Sequence, residues 1–377
     1  MIKNTKKVLC LILTFAIAVC CIAIYISYNK ERKEKAEYYK TVSAQMAGEE
    51  EQEREEREAL KQKDSFYQKL SDGFDVNILV VGDSIGKGTG ASSQNTNWTK
   101  LLTSRLKRSY HGYVRLKNVS FGGNTSYAGY TSVKTLNSKT DYDLVIICYG
   151  ENDGDDNFGK YYESIIRAVR ARNNRCSVIS ILESAQKEYT QKMQTIKSLA
   201  QHYGIGIADT IKPFTDNSNG AYDDLTADGV HPNDKGYKIY ADVIEAVINE
   251  KVEAYEPYND ADIAPIFADV KQFDNLKSIP LKEFKREDNT FTYTLNTPIT
   301  GILGMDFTFA PGEYSYEIFV DGNSYYKKAW TFDHDFRQRR LFLTKDSYVT
   351  ANKTIKIVFN NKDQADGFGG LYFSSEK

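Results

Sequence analysis

At 377 residues the chain is long enough for two folded units and additional segments. Its 49 basic and 51 acidic residues leave a net charge of −2, which argues against a nucleic-acid-binding protein. Three of the five cysteines fall in an N-terminal apolar segment, and the other two, Cys148 and Cys176, lie near opposite ends of neighbouring predicted strands. At about 15–20 Å apart they are too distant for a disulfide, so both are read as free buried thiols.

Residues 8–28 form an uncharged apolar run preceded by Lys3, Lys6 and Lys7. About twenty such residues span a bilayer as a helix, so the expectation is an uncleaved membrane anchor at residues 1–29. A cleaved signal peptide and a lipid-modified cysteine are the rival readings. The run continues past Cys20 and Cys21 to Ser27, which disfavours both. The lysine and arginine flanks nearly balance. The short leading tail favours a single-pass membrane protein with its catalytic domain outside the cell. Residues 30–72 are highly charged, with Glu50/Arg54 and Glu53/Arg57 at i,i+4 spacing, and read as a solvated helical stalk.

From residue 73 to 254 buried strands alternate with amphipathic helices. Strands are predicted at 76–81, 114–119, 144–149, 177–182 and 205–208, and helices at 98–109, 161–172, 190–202 and 235–248. In the last helix Tyr237, Tyr240, Ala241, Ile244, Val247 and Ile248 share one face. This alternation implies a parallel sheet covered by helices on both faces, a three-layer α/β/α domain. The first strand, Ile78-Leu-Val-Val81, ends in Gly82-Asp83-Ser84-Ile85-Gly86. Glycines permit a sharp turn there, and a serine at a strand's carboxyl end sits where open α/β sheets bind ligands.

Three more stretches fall at strand ends on the same edge: Phe121-Gly-Gly123-Asn, Gly150-Glu-Asn152-Asp153 and Asp228-Gly-Val-His231-Pro232. Each block alone is common. Together, in this order, they make the segment from about 75 to 250 resemble the SGNH/GDSL hydrolase family. The resemblance implies a flavodoxin-like fold, Ser84 as nucleophile, His231 as its base and Asp228 as the group orienting the imidazole. It also implies an oxyanion hole from the Ser84 N–H, the Gly123 N–H and the Asn152 amide; Gly122, beside Gly123, would shift that donor by one.

The residue types suit those tasks. Serine needs an adjacent base to become nucleophilic, and His231 is the one histidine of four with an acidic residue at i−3. An amide donates hydrogen bonds without carrying charge, as an oxyanion site requires. Ordinary turn or capping roles are the plain alternatives for each residue. Gly82-Asp-Ser-Ile-Gly86 also matches the nucleophile elbow of α/β-hydrolases, but here the serine follows the first strand and the acid and base lie three residues apart. Asp153, Asp155 and Asp156 read as a solvated turn, because their spacing is not that of a calcium loop. No catalytic metal and no cofactor is expected.

Beyond a polar connection at 255–263, the pattern turns to period two. Phe291-Thr-Tyr-Thr-Leu, Tyr314-Ser-Tyr-Glu-Ile and Ile355-Lys-Ile-Val-Phe, separated by turns such as Pro311-Gly312 and Asp321-Gly322, predict an antiparallel, jelly-roll-like β-sandwich at 264–377. Its aromatic residues, Tyr325, Tyr326, Trp330, Phe332 and Phe336, are read first as packing residues and second as a glycan platform. The last α/β helix carries the chain away from the catalytic edge, so the sandwich is expected on the far side from Ser84. The functional expectation that the resemblance implies is a serine esterase acting on small acyl esters, with O-acetyl groups of surface or extracellular glycans as the expected substrate. An O-acetyltransferase and a glycan-binding protein with a spent site are the alternatives.

Overall fold

The computed structural model describes residues 2–63, 65–137, 139–216, 219–254 and 263–376, with side chains for all of these except 2–14, 53 and 56–63. The chain divides into two compact units, Met1–Lys63 and Asp64–Lys377.

The first unit is one helix, α1 (Ile2–Lys63). Its charged part carries the Lys35–Glu31 pair at 2.8 Å. Arg54 pairs with Glu51 rather than with the expected Glu50, and the Glu53/Arg57 pair lies outside the described side chains. The expected membrane anchor is not borne out: among the described residues no helix is long and apolar enough to cross a membrane. Residues 8–14 of the expected span lie outside the described side chains.

The second unit begins earlier than residue 73. Helix α2 (Phe66–Ser71), expected in the stalk, starts with a reciprocal capping box between Ser65 and Gln68 and buries Phe66, Tyr67 and Leu70 in the domain core. Then come β1 (Val76–Gly82), a single turn α3 (Ser84–Lys87), α4 (Trp98–Ser109), β2 (Val114–Asn118), α5 (Ser126–Thr135), β3 (Leu144–Cys148), α6 (Phe158–Arg172), β4 (Ser177–Leu182), α7 (Gln191–Tyr203), β5 (Gly206–Asp209), α8 (Ile211–Thr215) and α9 (Asp234–Glu253). The five strands form a parallel sheet in the order β2-β1-β3-β4-β5, the flavodoxin-like order. Alternate residues feed two cores. Ile78, Val80 and Ile146 meet α2, α4 and α9, while Leu79, Val81, Val145 and Ile147 meet α5, α6 and α7. Cys148 and Cys176 are free and buried.

Helix α5 has no counterpart among the predicted helices. Its sequence, Ser-Tyr-Ala-Gly-Tyr-Thr-Ser-Val-Lys-Thr, is poor in strong helix formers. All residues from Ser126 to Val133 are buried, so tertiary packing sets its conformation.

The connection at 255–262 lies outside the described residues. The remainder forms two antiparallel sheets from β6 (Asn275–Pro280), β7 (Lys285–Glu287), β8 (Thr290–Thr294), β9 (Ile299–Phe309), β10 (Gly312–Val320), β11 (Asn323–Phe332), β12 (Gln338–Ala351), β13 (Thr354–Phe359) and β14 (Phe368–Ser375). Their orders are β11-β10-β13-β8-β7 and β12-β9-β14-β6. Inward residues of both sheets share one core, with Phe307 of β9 stacked on Phe359 of β13 at 5.3 Å between ring centroids. Trp330 is half-buried against Phe309 and Tyr314, and Phe332 is buried, in line with packing roles. Phe336 is 50% exposed.

The expectation that this β region stays on the far side from Ser84 is wrong. The β12-β9-β14-β6 sheet lies across α5. Leu341 and Tyr372 pack on Ala128, Ile302 and Phe273 join the α/β core, and Gly304 leaves room for the Tyr127 hydroxyl where a Cβ would collide. The buried Glu163 carboxylate accepts the N–H groups of Ile266 and Phe267 at 2.7 and 2.9 Å. Lys160 pairs with Asp346 at 2.6 Å and Arg167 with Asp274 at 2.7 Å. The earlier expectation followed only the point where the chain leaves α9. Strand β12 is 14 residues long, about 45 Å at 3.3 Å per residue, so a strand seated on α5 can reach the catalytic edge.

Candidate active site

Ser84 follows β1 at the start of α3, in a turn held tightly against its neighbours. A Cβ on Gly82 would lie 2.8 Å from the Cys148 carbonyl oxygen and 2.9 Å from the Gly86 Cα, so that position takes only glycine. Asp83 caps the turn, its Oδ1 accepting the Ile85 N–H at 2.8 Å.

His231 reaches Ser84 from the loop before α9. A short bridge between Thr226 and Pro232 closes this loop, and Asn233 caps α9 by accepting the Lys235 and Gly236 N–H groups. Asp228 organises the tip. Its Oδ1 accepts the His231 N–H at 2.8 Å and the Val230 N–H at 3.1 Å, while Oδ2 lies 2.7 Å from His231 Nδ1. Partial burial pushes the Asp228 carboxyl up, but these hydrogen bonds outweigh it and hold its pKa below the usual value. An ionised carboxylate only accepts, so Nδ1 carries the ring proton and the Nε2 lone pair faces Ser84. Ser84 Oγ is 2.8 Å from Nε2. The structure thus brings Ser84, His231 and Asp228, 147 residues apart at the extremes of the domain, into one hydrogen-bonded chain.

The loops that carry the other predicted donors lie beside the serine turn. A Cβ on Gly122 would lie 3.6 Å from the Ser84 Cβ, and Gly123 turns the loop with φ +68°. Asn152 follows β3 and donates through Nδ2 to Asp83 Oδ2 at 2.9 Å. One amide hydrogen is therefore engaged, and the second has no partner among the described residues. Asp83 is fully buried, and burial pushes its carboxyl up to about 7 against the pull of backbone N–H groups. Beneath it, the Cys148 thiol donates to Glu183 Oε1 at 3.2 Å, and Glu183 Oε2 accepts the Glu151 N–H at 2.8 Å. Burial and the Asp83 carboxylate push Glu183 well up, and burial does the same to the Cys148 thiol.

Two site features escaped the sequence reading. Asp153, expected in a solvated turn, is buried and accepts the Ser126 N–H at 2.9 Å and Ser126 Oγ–H at 2.6 Å. It ties the start of α5 to the Asn152 loop, and burial raises it to about 6. The second is the β12 contact. Asn124 donates to the Arg339 carbonyl at 2.8 Å and accepts the Leu341 N–H at 2.9 Å, docking β12 on the Gly122–Gly123 loop. Gln338 then lies where a side chain at Gly123 would be. Next to it is a cavity of about 360 Å³ lined by Gly123, Phe309, Lys328, Trp330 and Arg340. The neighbouring position of Gly123 and Asn124 in the block was the available signal for the first partner. The second partner lies over two hundred residues away in sequence and left none.

Residues 80–239 match the GDSL-like Lipase/Acylhydrolase family. The match is to a hydrolase family of the GDSL type, and the protein is a carboxylic ester hydrolase. A comparison of the sequence with curated proteins finds no match. Among solved structures, a two-domain esterase (CEX) active on acetylated mannans, co-crystallised with mannopentaose, superposes with a TM-score of 0.67 at 18% identity. The match covers 84% of this chain and 96% of that one, so both the α/β domain and the β sheets share its fold. TesA matches over 46% of this chain and 98% of its own, at 22% identity and a TM-score of 0.40.

Proposed function

We propose that the protein is a serine esterase that removes small acyl groups, acetyl above all, from a glycan. The observation that carries this reading is the chain Ser84 Oγ–His231 Nε2–Asp228 at 2.8 and 2.7 Å. In the proposed reaction Ser84 Oγ attacks the ester carbonyl as Nε2 takes its proton. Asp228 stabilises the resulting imidazolium. The Ser84 and Gly123 N–H groups and the Asn152 amide meet the developing oxyanion. His231 then protonates the departing sugar hydroxyl, and water, activated by the same imidazole, releases the acid and restores Ser84. The acetylated-mannan activity of the two-domain structural relative supports a carbohydrate ester as substrate. So does the cavity beside Gly123, since the half-buried Trp330 lines it and an indole ring suits a sugar face.

Such polymers are met outside the cytoplasm, and the proposal places the enzyme there. The test incubates wild type and Ser84→Ala with an acetylated polysaccharide and measures released acetate, together with acetyl transferred to added unacetylated glycan. Ser84-dependent acetate release is the expected result. A folded Ser84→Ala protein with full turnover overturns the reading, and Ser84-dependent transfer without acetate release makes the enzyme a transferase.

A further inference from the structure

The charge of this chain is balanced overall but not locally. Residues 84–140 contain nine Lys and Arg residues and no Asp or Glu, in a protein of net charge −2. In the fold this acid-free segment builds one wall of the catalytic edge and continues into a groove of about 970 Å³ between α4 and the edge strand β2. Lys87, Lys100, Lys107 and Arg115 line the groove, and no carboxylate does. Arg115 is paired with Asp75 at 2.9 Å. Lys87, Lys100 and Lys107 are exposed and have no ion-pair partner among the described residues.

A charged edge strand is a common device against edge-to-edge aggregation, and Arg115 and Lys117 on β2 suffice for it. Lys87 lies in the turn after the nucleophile, and Lys100 and Lys107 lie on α4, where that purpose does not apply. Lys100 and Lys107 are two helical turns apart, about 10 Å along one face. The groove also starts at the active site. The Lys87 carbonyl accepts from Asn97 Nδ2 at 2.9 Å, and the Ile85 carbonyl from Trp98 Nε1 at 3.2 Å, which ties the start of α4 to the serine turn. Gly90, in the loop between Lys87 and α4, sits against the His231 Cβ.

We propose that this groove holds an anionic stretch of the glycan substrate, so that the enzyme acts on acylated polymers bearing carboxylate or phosphate groups. The proposal rests on the glycan-esterase reading and adds the charge of the substrate to it. Unpaired cations lining a concave surface concentrate a polyanion by long-range attraction that salt screens.

The test uses the full chain and the variant Lys87→Gln/Lys100→Gln/Lys107→Gln. Binding is measured to polygalacturonate, to a glycerol-phosphate polymer, to neutral mannan oligosaccharide and to duplex DNA, at low and high salt. Turnover of p-nitrophenyl acetate is followed in parallel. Wild type should bind one or both anionic polymers at low salt in preference to mannan. The triple variant should lose about tenfold or more of that affinity with p-nitrophenyl acetate turnover unchanged. A preference between the two anionic polymers assigns the carboxylate or the phosphate source. Equal affinity of wild type and variant, stronger binding of neutral mannan, or stronger binding of DNA overturns the proposal. Loss of Ser84-dependent p-nitrophenyl acetate turnover from wild type would instead strike the esterase reading and leave the binding result standing.

Discussion

Asp83 accepts one of the two Asn152 amide hydrogens and so fixes the orientation of the amide that the proposed mechanism aims at the oxyanion. Asn152→Ala should therefore lower kcat by about 10²–10³ with KM little changed, the pattern for a donor that acts in the transition state. Steady-state kinetics on p-nitrophenyl acetate checks this, and an effect confined to KM would make Asn152 a substrate-binding residue. The buried acids carry a separate consequence. Burial lifts Asp83 to about 7 and Asp153 to about 6, above the unfolded value of about 3.9. Between those limits the folded state binds more protons than the unfolded one, so the contribution of these groups to stability falls as pH rises. The urea midpoint of wild type should fall relative to that of Asp153→Asn as the pH is raised from about 4.5 to about 7.5. A difference that stays constant or grows in favour of wild type would contradict the assignment.

Helix α5 shows what an element can become when both of its faces are covered. Tyr127, Tyr130, Tyr161 and Phe273 make a cluster with centroid separations from 5.4 to 6.4 Å, joining α5 and α6 to the segment that opens the β region. Gly304 of β9 is a point of close approach, where a Cβ would collide with the Tyr127 hydroxyl. Gly304→Ala should cost about 1–3 kcal/mol, the usual penalty for overpacking a close-packed interface. A thermal melt measures it, and a melting temperature equal to wild type would show that β9 is not seated firmly on α5.

At the scale of the whole molecule, the β sheets and the α/β domain are one compact unit from Asp64 onward. Removing the chain after residue 254 would uncover the apolar face of α5 and α6, and with it Tyr127, Ala128, Tyr130 and Tyr161. It would also release the Gly122–Gly123 loop from Asn124's two bonds to β12. The truncated protein should bind a hydrophobic dye strongly and lose more than about tenfold of p-nitrophenyl acetate turnover, about 1.4 kcal/mol of barrier. A soluble fragment with wild-type kcat and no dye binding would show that the β region only assists.

The strands, most of the helices and the Ser84, Asn152, Asp228 and His231 blocks could be read from the sequence, because they depend on local physics. Period-two and 3.6-residue patterns reveal what each segment buries, and strand-end turns need glycine, serine and asparagine whatever surrounds them. The start of the domain at residue 64, the helix at Ser126–Thr135, the buried state of Asp153 and the hold of Asp83 on Asn152 could not. Each depends on what covers a surface, and the covering residues lie far along the chain. Gln338 is the clearest case: nothing near residue 338 indicates that its strand lies over Gly123. That placement follows from seating a long strand against a helix buried on both faces, which exists as a helix only because the sheet covers it.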